Sequence, residues 1–328
     1  MFTKYIGIDL GTANVLIYIK GQGIVLNQPS VVSFDNETKK PLAVGEKARE
    51  MLGRTPGDVL AIRPLKDGVI ADFETTEIML ESFLREIKGK TMFNRPIILI
   101  CCPSNITQVE KNAIKEAAER IGAKKVFMEE EPKVAAIGAG LDISQPSGSM
   151  IIDIGGGTTD IAVLSLGGIV SSTSIKVAGN TFDTDIIKYI KSKYKLLIGD
   201  MTAEEIKIKI GSVFPGLKEK MEIKGRDLVT GLPHKITICA EEIEESLKES
   251  AYVIVHAAKN LLEQTPPELA ADIINKGILI TGGGALIKGF DKLLSKELKV
   301  PVKIAESPLT CVAEGTGIIL DNIKQNKL

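Results

Sequence analysis

The stretch from Met150 to Leu164 constrains this chain most. An apolar strand, Met150-Ile151-Ile152-Asp153-Ile154, runs into Gly155-Gly156-Gly157, then Thr158-Thr159-Asp160 and a second apolar run, Ile161 to Leu164. Three consecutive glycines let a backbone approach a ligand closely and point several N–H groups into one concavity, which binds phosphate oxygens without side chains. Asp153 faces the same space. The pattern recurs near the start, where Ile6-Gly7-Ile8-Asp9-Leu10-Gly11-Thr12-Ala13-Asn14 leads into the apolar run Val15 to Ile19. An internal repeat of this kind predicts a duplicated architecture in which two related halves face one nucleotide. A third apolar strand entering glycines, Ile278 to Thr281 followed by Gly282-Gly283-Gly284-Ala285, lies in the second half.

A length of 328 residues suits two domains, at a soft prior of roughly 150 residues each. The formal net charge of −1 leaves no basic excess for neutralising phosphates, so no nucleic-acid partner is expected. Cys101, Cys102, Cys239 and Cys311 show no C-x-x-C spacing and read as buried, reduced thiols of a cytosolic protein. With His234 and His256 as the only histidines, neither a histidine-rich metal centre nor a catalytic histidine is expected. Lys4 and Tyr5 lead straight into the first strand, unlike a signal peptide. The longest apolar run, Ile97 to Cys102, is far short of the roughly 20 residues that span a bilayer.

Along the chain, β-rich sequence extends to Phe34, a short helix is expected over 45–52, and 58–70 reads as irregular, with Pro56 and Pro64 as breakers. Residues 33–72 read as a small inserted subdomain. From Asp72 the apolar spacing turns helical, with Ile78, Met79, Phe83, Leu84 and Ile87 on one face. A strand at 96–102 follows, then a helix over 106–121 capped by Asn105, with Val109, Ala113, Ile114 and Ala117 as its apolar stripe. A strand at 124–128 ends at Glu129-Glu130-Glu131, and Pro132 suits the first turn of a helix running to Gly140. This alternation is that of an α/β domain. The second half repeats the plan with a strand at 170–176, helices at 181–197 and 202–210, and a hairpin over 221–239 around Gly231-Leu232-Pro233. Residues 182–240 read as a second inserted subdomain. A long helix at 241–262, the return through 272–290 to the third glycine turn, and a closing helix from Val312 complete the chain.

Other glycine motifs fail on context. Gly89-Lys90-Thr91 looks like the end of a P-loop, but Leu84 stands where that loop needs its first glycine, and no G-x-G-x-x-G follows the first strand.

Together, Asp9-Leu10-Gly11-Thr12-Ala13-Asn14 and Asp153-Ile154-Gly155-Gly156-Gly157-Thr158-Thr159 resemble the two phosphate loops of the actin, sugar kinase and heat-shock ATPase superfamily. Within it the whole chain is most similar to the MreB family of bacterial actin homologues. The stretches that carry the likeness are 8–14, 23–31, Glu130-Glu131-Pro132 with 135–141, 155–159 with 165–170, 202–212 and 281–286. The resemblance implies an α/β fold: a duplicated, ribonuclease H-like actin fold of two lobes, each with a small inserted subdomain, closing on ATP or ADP. Lobe I would span 1–145, closed by a C-terminal helix at 312–328, and lobe II 146–311.

The resemblance also implies roles. Asp9 and Asp153 would hold Mg²⁺ through water, which suits an ion reluctant to dehydrate. Gly11, Thr12, Ala13, Asn14, Gly155, Gly156 and Gly157 would contact phosphates, Gly179 would also bind the nucleotide, and the hydroxyls of Thr158 and Thr159 would sit near the γ-phosphate. Glu204, Glu205 and Lys207 would reach the adenosine, although Glu204 and Lys207, three apart on a helix, also read as a surface ion pair. Gly282, Gly283, Gly284 and Ala285 would let adenine pack on backbone. Glu131 would orient and polarise the attacking water, and a carboxylate at a helix start stays ionised there; the alternative is a solvated acidic edge. A slow ATPase is expected. The loop Lys90-Thr91-Met92-Phe93-Asn94-Arg95-Pro96 would insert Met92 and Phe93 shallowly into membrane, with Lys88, Lys90 and Arg95 on anionic lipid; the alternative is a loop folded on its own domain.

Two departures from the family pattern stand out: the sequence enters its first strand almost at once, so no N-terminal amphipathic helix is expected, and Lys133 stands where an apolar residue is expected. The expected function is a filament-forming cytoskeletal ATPase governing cell shape, cytoplasmic and peripheral at the inner face of the membrane. Its partners would be further copies stacked head to tail as single or paired protofilaments, anionic membrane, and paralogous filament proteins. The rival readings are a sugar- or acetate-type kinase, a chaperone-type ATPase, which would need a substrate domain, and a nucleotide-binding module without turnover.

Overall fold

The computed structural model describes residues 4–54, 57–90, 95–103 and 106–324, the side chains of 88–90 and 324 excepted. The chain divides into two compact units, 1–143 with 309–328 and 144–308.

In chain order the first unit runs β1 (Tyr5–Leu10), β2 (Asn14–Ile19), β3 (Gly23–Pro29), β4 (Val32–Asp35), β5 (Pro41–Val44), α1 (Glu46–Arg49), β6 (Val59–Ile62), β7 (Leu65–Lys66), β8 (Val69–Ile70), α2 (Phe73–Lys90), β9 (Ile97–Cys102), α3 (Gln108–Arg120), β10 (Lys125–Glu130) and α4 (Glu131–Gly138). The C-terminal helix Cys311–Lys324 completes it. Its main sheet has the order β10-β9-β1-β2-β3, with β1, β2 and β3 an antiparallel meander and β9 and β10 parallel to β1. Strands so enclosed read as continuous apolar runs, and Ile6, Ile8, Ile98 and Ile100 are buried against Met79, Leu80 and Phe83 of α2. On the C-terminal helix, Thr316 lies where a side chain on Gly7 would collide, and Gly138 and Gly315 let α4 and this helix touch backbone to backbone. A Cβ at Gly138 would stand 1.8 Å from the Cys311 carbonyl oxygen, and one at Gly315 2.1 Å from that of Val134.

The second unit runs β11 (Ser149–Ile154), β12 (Thr159–Ser165), β13 (Gly168–Ile175), α5 (Gly179–Tyr194), β14 (Leu196–Leu197), α6 (Asp200–Ile210), β15 (Lys220–Asp227), β16 (Pro233–Cys239), α7 (Ala240–Glu263), α8 (Pro267–Lys276), β17 (Ile278–Thr281), a 3-10 turn (Gly283–Leu286), α9 (Phe290–Leu298) and β18 (Val302–Ile304). Its sheet order, β13-β12-β11-β17-β18, repeats the first: an antiparallel meander β11, β12, β13 with β17 and β18 parallel to β11. The duplicated plan expected from the two glycine turns is therefore present strand for strand. Ile152 and Ile154 of β11 join Phe182 and Ile186 of α5 in one core, closed by Phe290, whose ring lies 6.1 Å from that of Phe182. Burying each such side chain is worth roughly 1.5–3 kcal/mol.

Several local expectations are corrected. Residues 58–70 are not irregular: β6 pairs with β4, and β7 and β8 form a hairpin turning at Asp67 and Gly68, both at positive φ (51° and 73°). Asp-Gly is the residue pair such a turn needs, and the prolines obscured it. Helix α3 starts at Gln108, where Thr107 and Glu110 form a reciprocal capping box; Asn105 lies outside the described residues. Val109, placed on the apolar stripe by spacing, is 75% exposed, and Ala118 takes the inward position. The helix expected to reach Leu197 stops at Tyr194, because Lys195 turns left-handed (φ 53°) and Leu196–Leu197 pairs with β15. Helices α8 and α9 are not among the elements that the sequence predicts.

Candidate functional site

In the first unit the site residues gather at the carboxyl ends of the parallel strands β1, β9 and β10, where open α/β sheets bind ligands. Asp9 ends β1 in register with Cys101 of β9. It is 9% exposed, and burial pushes its carboxyl up to about 7. Burial, with Asp9 and Glu131 nearby, holds the Cys101 thiol well above its ordinary range, and burial lifts Cys102 to about 11. Both stay protonated and unreactive at neutral pH, matching the buried, reduced thiols expected.

The turn after Asp9 is braced from the residue just beyond β3. Ser30 Oγ donates to the Gly11 carbonyl at 2.7 Å and Ser30 N–H to that of Ala13 at 2.9 Å. Thr12 is buried, and its Oγ1 accepts from Gly68 N–H at 3.3 Å, tying the turn to the β7–β8 hairpin. Asn14 Nδ2 donates to Asn27 Oδ1 at 3.2 Å. Among the described residues nothing accepts from the N–H groups of Gly11, Thr12 and Ala13, so they remain available to an anion. Glu131 opens α4 directly after β10, half-buried, with Pro132 in the first turn. Lys133 ion-pairs with Glu129 at 3.0 Å, so the charge flagged as a departure is compensated within the acidic run.

The second unit repeats the arrangement at the ends of β11 and β17. Asp153 is 4% exposed and stands in register with Asp160 across the hairpin. The glycine turn is closed by Gly155 N–H donating to the Thr158 carbonyl at 2.9 Å. The start of α5 locks beneath it: Gly179 N–H donates to the Gly155 carbonyl at 3.1 Å and Asn180 N–H to that of Gly156 at 2.8 Å. The N–H groups of Gly156, Gly157 and Thr158 find no acceptor among the described residues.

Lys207 of α6 donates to the Gly179 carbonyl at 3.0 Å and ion-pairs with Asp183 of α5 at 2.8 Å. It is thus not the partner of Glu204 in a surface pair. Glu204 is half-buried on the same helix, while Glu205 is exposed and pairs with Lys209 at 2.6 Å, away from the group. Thr159 also departs from expectation: it is fully buried and its hydroxyl donates to the Val177 carbonyl at 2.7 Å, so it holds β12 to the approach of α5. Thr158, 6% exposed, keeps the position nearer the turn.

The third glycine run divides its labour. Gly282 (φ 82°) packs its Cα on Asp153, such that a Cβ there would lie 2.4 Å from Asp153 Oδ1. Gly284 fits under Ile154, where a Cβ would meet Ile154 Cγ2 at 2.2 Å, and Ala285 is fully buried. Only Gly283 of the three is exposed. Two of these glycines are therefore needed for packing against β11, and Gly283 is the one open to a ligand.

Sequence reasoning passed over Ser30 and Asp183, whose contacts cross long sequence separations that leave no local mark, and Gly68, whose Asp-Gly turn is local but whose bond to Thr12 is not. Met92 and Phe93 lie outside the described residues. Among the described residues no group of three or more His, Cys, Asp or Glu side chains converges as on a metal, and no helix is long and apolar enough to cross a membrane.

A protein-family model described as MreB/Mbl protein matches residues 3–328. The cell shape-determining protein Mbl of Bacillus cereus (strain ATCC 10987 / NRS 248) is 67% identical over 324 residues, covering 98% of this chain and 97% of the relative. Crystal structures of MreB5 of Spiroplasma citri bound to ADP and of the same protein bound to AMPPNP superpose with TM-scores of 0.95 and 0.94, at 47% and 46% identity. Each covers 99% of this chain and 98% of the other.

Proposed function

The chain belongs to the MreB/Mbl family, and on that premise we propose that it is an ATP-binding, actin-like cytoskeletal protein whose nucleotide state governs its polymerisation into filaments that act in cell shape. One observation carries this reading: each unit holds, at the ends of its parallel strands, the same turn of N–H groups without an acceptor among the described residues, preceded by a buried aspartate, Asp9 before Gly11–Ala13 and Asp153 before Gly156–Thr158. Support comes from the relatives, whose solved structures hold ADP and AMPPNP.

The turn amides supply fixed dipoles for phosphate oxygens. Lys207 and Asp183 keep the first turn of α5 against the second glycine turn, and Gly283 offers open backbone to the adenine. Glu131, at the start of α4, orients and polarises the attacking water; in-line attack needs little beyond such positioning and charge stabilisation, which fits slow turnover to ADP and phosphate. Asp9 and Asp153 are suited to Mg²⁺: ionising Asp9 in its buried place is costly, as its upward shift to about 7 shows, and a cation offsets that cost. Held there by Asp9 and Asp153, Mg²⁺ would supply positive charge against the phosphate oxygens.

Subunits stack head to tail, a heterologous contact that propagates without closing, with paralogous chains as further filament partners. The filament lies at the inner face of the membrane, the alternating cationic and apolar residues of 90–96 meeting anionic lipid. Sedimentation and electron microscopy of the purified chain with ATP, ADP and no nucleotide test this: filaments that depend on ATP are expected, and a monomer under every condition contradicts assembly.

A further inference from the structure

The first unit contains a cavity of about 360 Å³ at the opposite end of its sheet from Asp9. It lies among β1, β9, the second half of α2 and the end of α3. From Ile6 to Asp9 along β1 is roughly 10 Å at about 3.3 Å per residue, so this space is separate from the turn at Gly11. Its floor is apolar: Ile6, Leu84, Ile98 and Ala118, all buried. Its rim carries Arg85, Arg95, Arg120 and Glu81.

The rim charges are unequally committed. Arg85 is paired with Glu81 at 2.6 Å and Arg120 with Glu77 at 3.1 Å. Arg95, exposed and held at positive φ (48°), makes no ion pair or hydrogen bond among the described residues. A ligand that fills this space thus meets an apolar floor and one uncommitted guanidinium, which binds carboxylate or phosphate through paired N–H groups. Inorganic phosphate would leave the floor uncovered, and a neutral hydrocarbon would leave Arg95 unused. The volume is that of a small-ligand site.

We propose that this pocket binds an anionic amphiphile through one alkyl chain, its carboxylate or phosphate head on Arg95 and that chain over Ile6, Leu84 and Ile98. That chemistry has two sources, a free fatty acid-type anion or a phospholipid within a bilayer; only the second rests on the membrane reading above.

Calorimetric titration of the full chain with dodecanoate below its micellar concentration tests the pocket, with inorganic phosphate and the neutral dodecyl maltoside as controls. Dodecanoate is expected to bind and the controls not to. Arg95→Ala, an exposed change, should weaken binding about tenfold, the value of one charge-assisted contact, and Ala123→Trp, on the half-buried wall, should abolish it. Both variants should keep the wild-type circular dichroism and ATP affinity. No dodecanoate binding by the wild type, or equal binding by wild type and Arg95→Ala, overturns the proposal. Co-sedimentation with phosphatidylglycerol vesicles separates the sources. Its loss in Arg95→Ala together with dodecanoate binding identifies bilayer lipid. Its retention while dodecanoate binding falls identifies a free amphiphile, and dodecanoate binding without any vesicle binding keeps the pocket and removes the membrane reading.

Discussion

The Lys207 ammonium donates to the Gly179 backbone carbonyl at 3.0 Å, fastening α6 to the first turn of α5. Because Gly179 N–H in turn donates to the Gly155 carbonyl, one lysine stands two bonds from the glycine turn. Lys207→Met keeps the stem and removes the charge, and with it the 2.8 Å ion pair to Asp183, whose two side chains are only 14% and 15% exposed. A loss of about 3 kcal/mol is expected from urea unfolding, the range for breaking a largely buried pair. ATP affinity should fall with it, and Lys209→Met, whose pairing with Glu205 is exposed, should change neither by more than about 0.5 kcal/mol.

Gly282→Ala places a methyl 2.4 Å from both Asp153 Oδ1 and the Ile154 carbonyl oxygen, at a backbone φ of 82°. Strain and collision together should cost more than about 2 kcal/mol. Gly283→Ala, at the exposed position, should fold with nearly native stability and weaken nucleotide binding instead. Thermal unfolding and ATP titration of the two variants distinguish packing from ligand contact.

Asp9 binds protons more readily folded than unfolded, since burial raises its carboxyl from 3.8 to about 7. Between those values the native state carries the extra proton, so stability falls as pH rises through that window and levels off above it. Melting curves of nucleotide-free, metal-free chain from about pH 5 to about pH 8 should show this decline. Asp9→Asn should flatten it and raise the melting temperature at the upper end.

Glu131→Gln retains shape and removes the negative charge at the start of α4. Phosphate release should drop by about 10²-fold or more, the usual share of a positioned acid–base group, while ATP affinity and filament formation persist. A variant that turns over ATP at the wild-type rate would return Glu131 to the solvated acidic edge.

Much of this was legible because it is local. Two Asp-x-Gly turns between apolar runs give the duplicated hairpins, and 3.6-residue spacing gives α2 and α7. What escaped was set by distant partners. Thr159 looks like a ligand contact from its neighbours, yet Val177 claims its hydroxyl. Gly284 looks like ligand space, yet Ile154 fills it. Val109 fits the helical stripe, but α3 is rotated so that Ala118 faces inward. The Asp67-Gly68 turn is itself a local signal, and Pro56 and Pro64 upstream of it do not break the pairing of β7 with β8.

The most direct test of the central claim is equilibrium titration of ATP with Mg²⁺ against the wild-type chain, Gly11→Val and Gly156→Val. A branched side chain in either turn obstructs the outward amides of Gly11–Ala13 or Gly156–Thr158. The expected result is one ATP per wild-type chain and loss of that binding in each variant. Full affinity in either folded variant, or no ATP bound by the wild type, contradicts the assignment of these turns as the phosphate site.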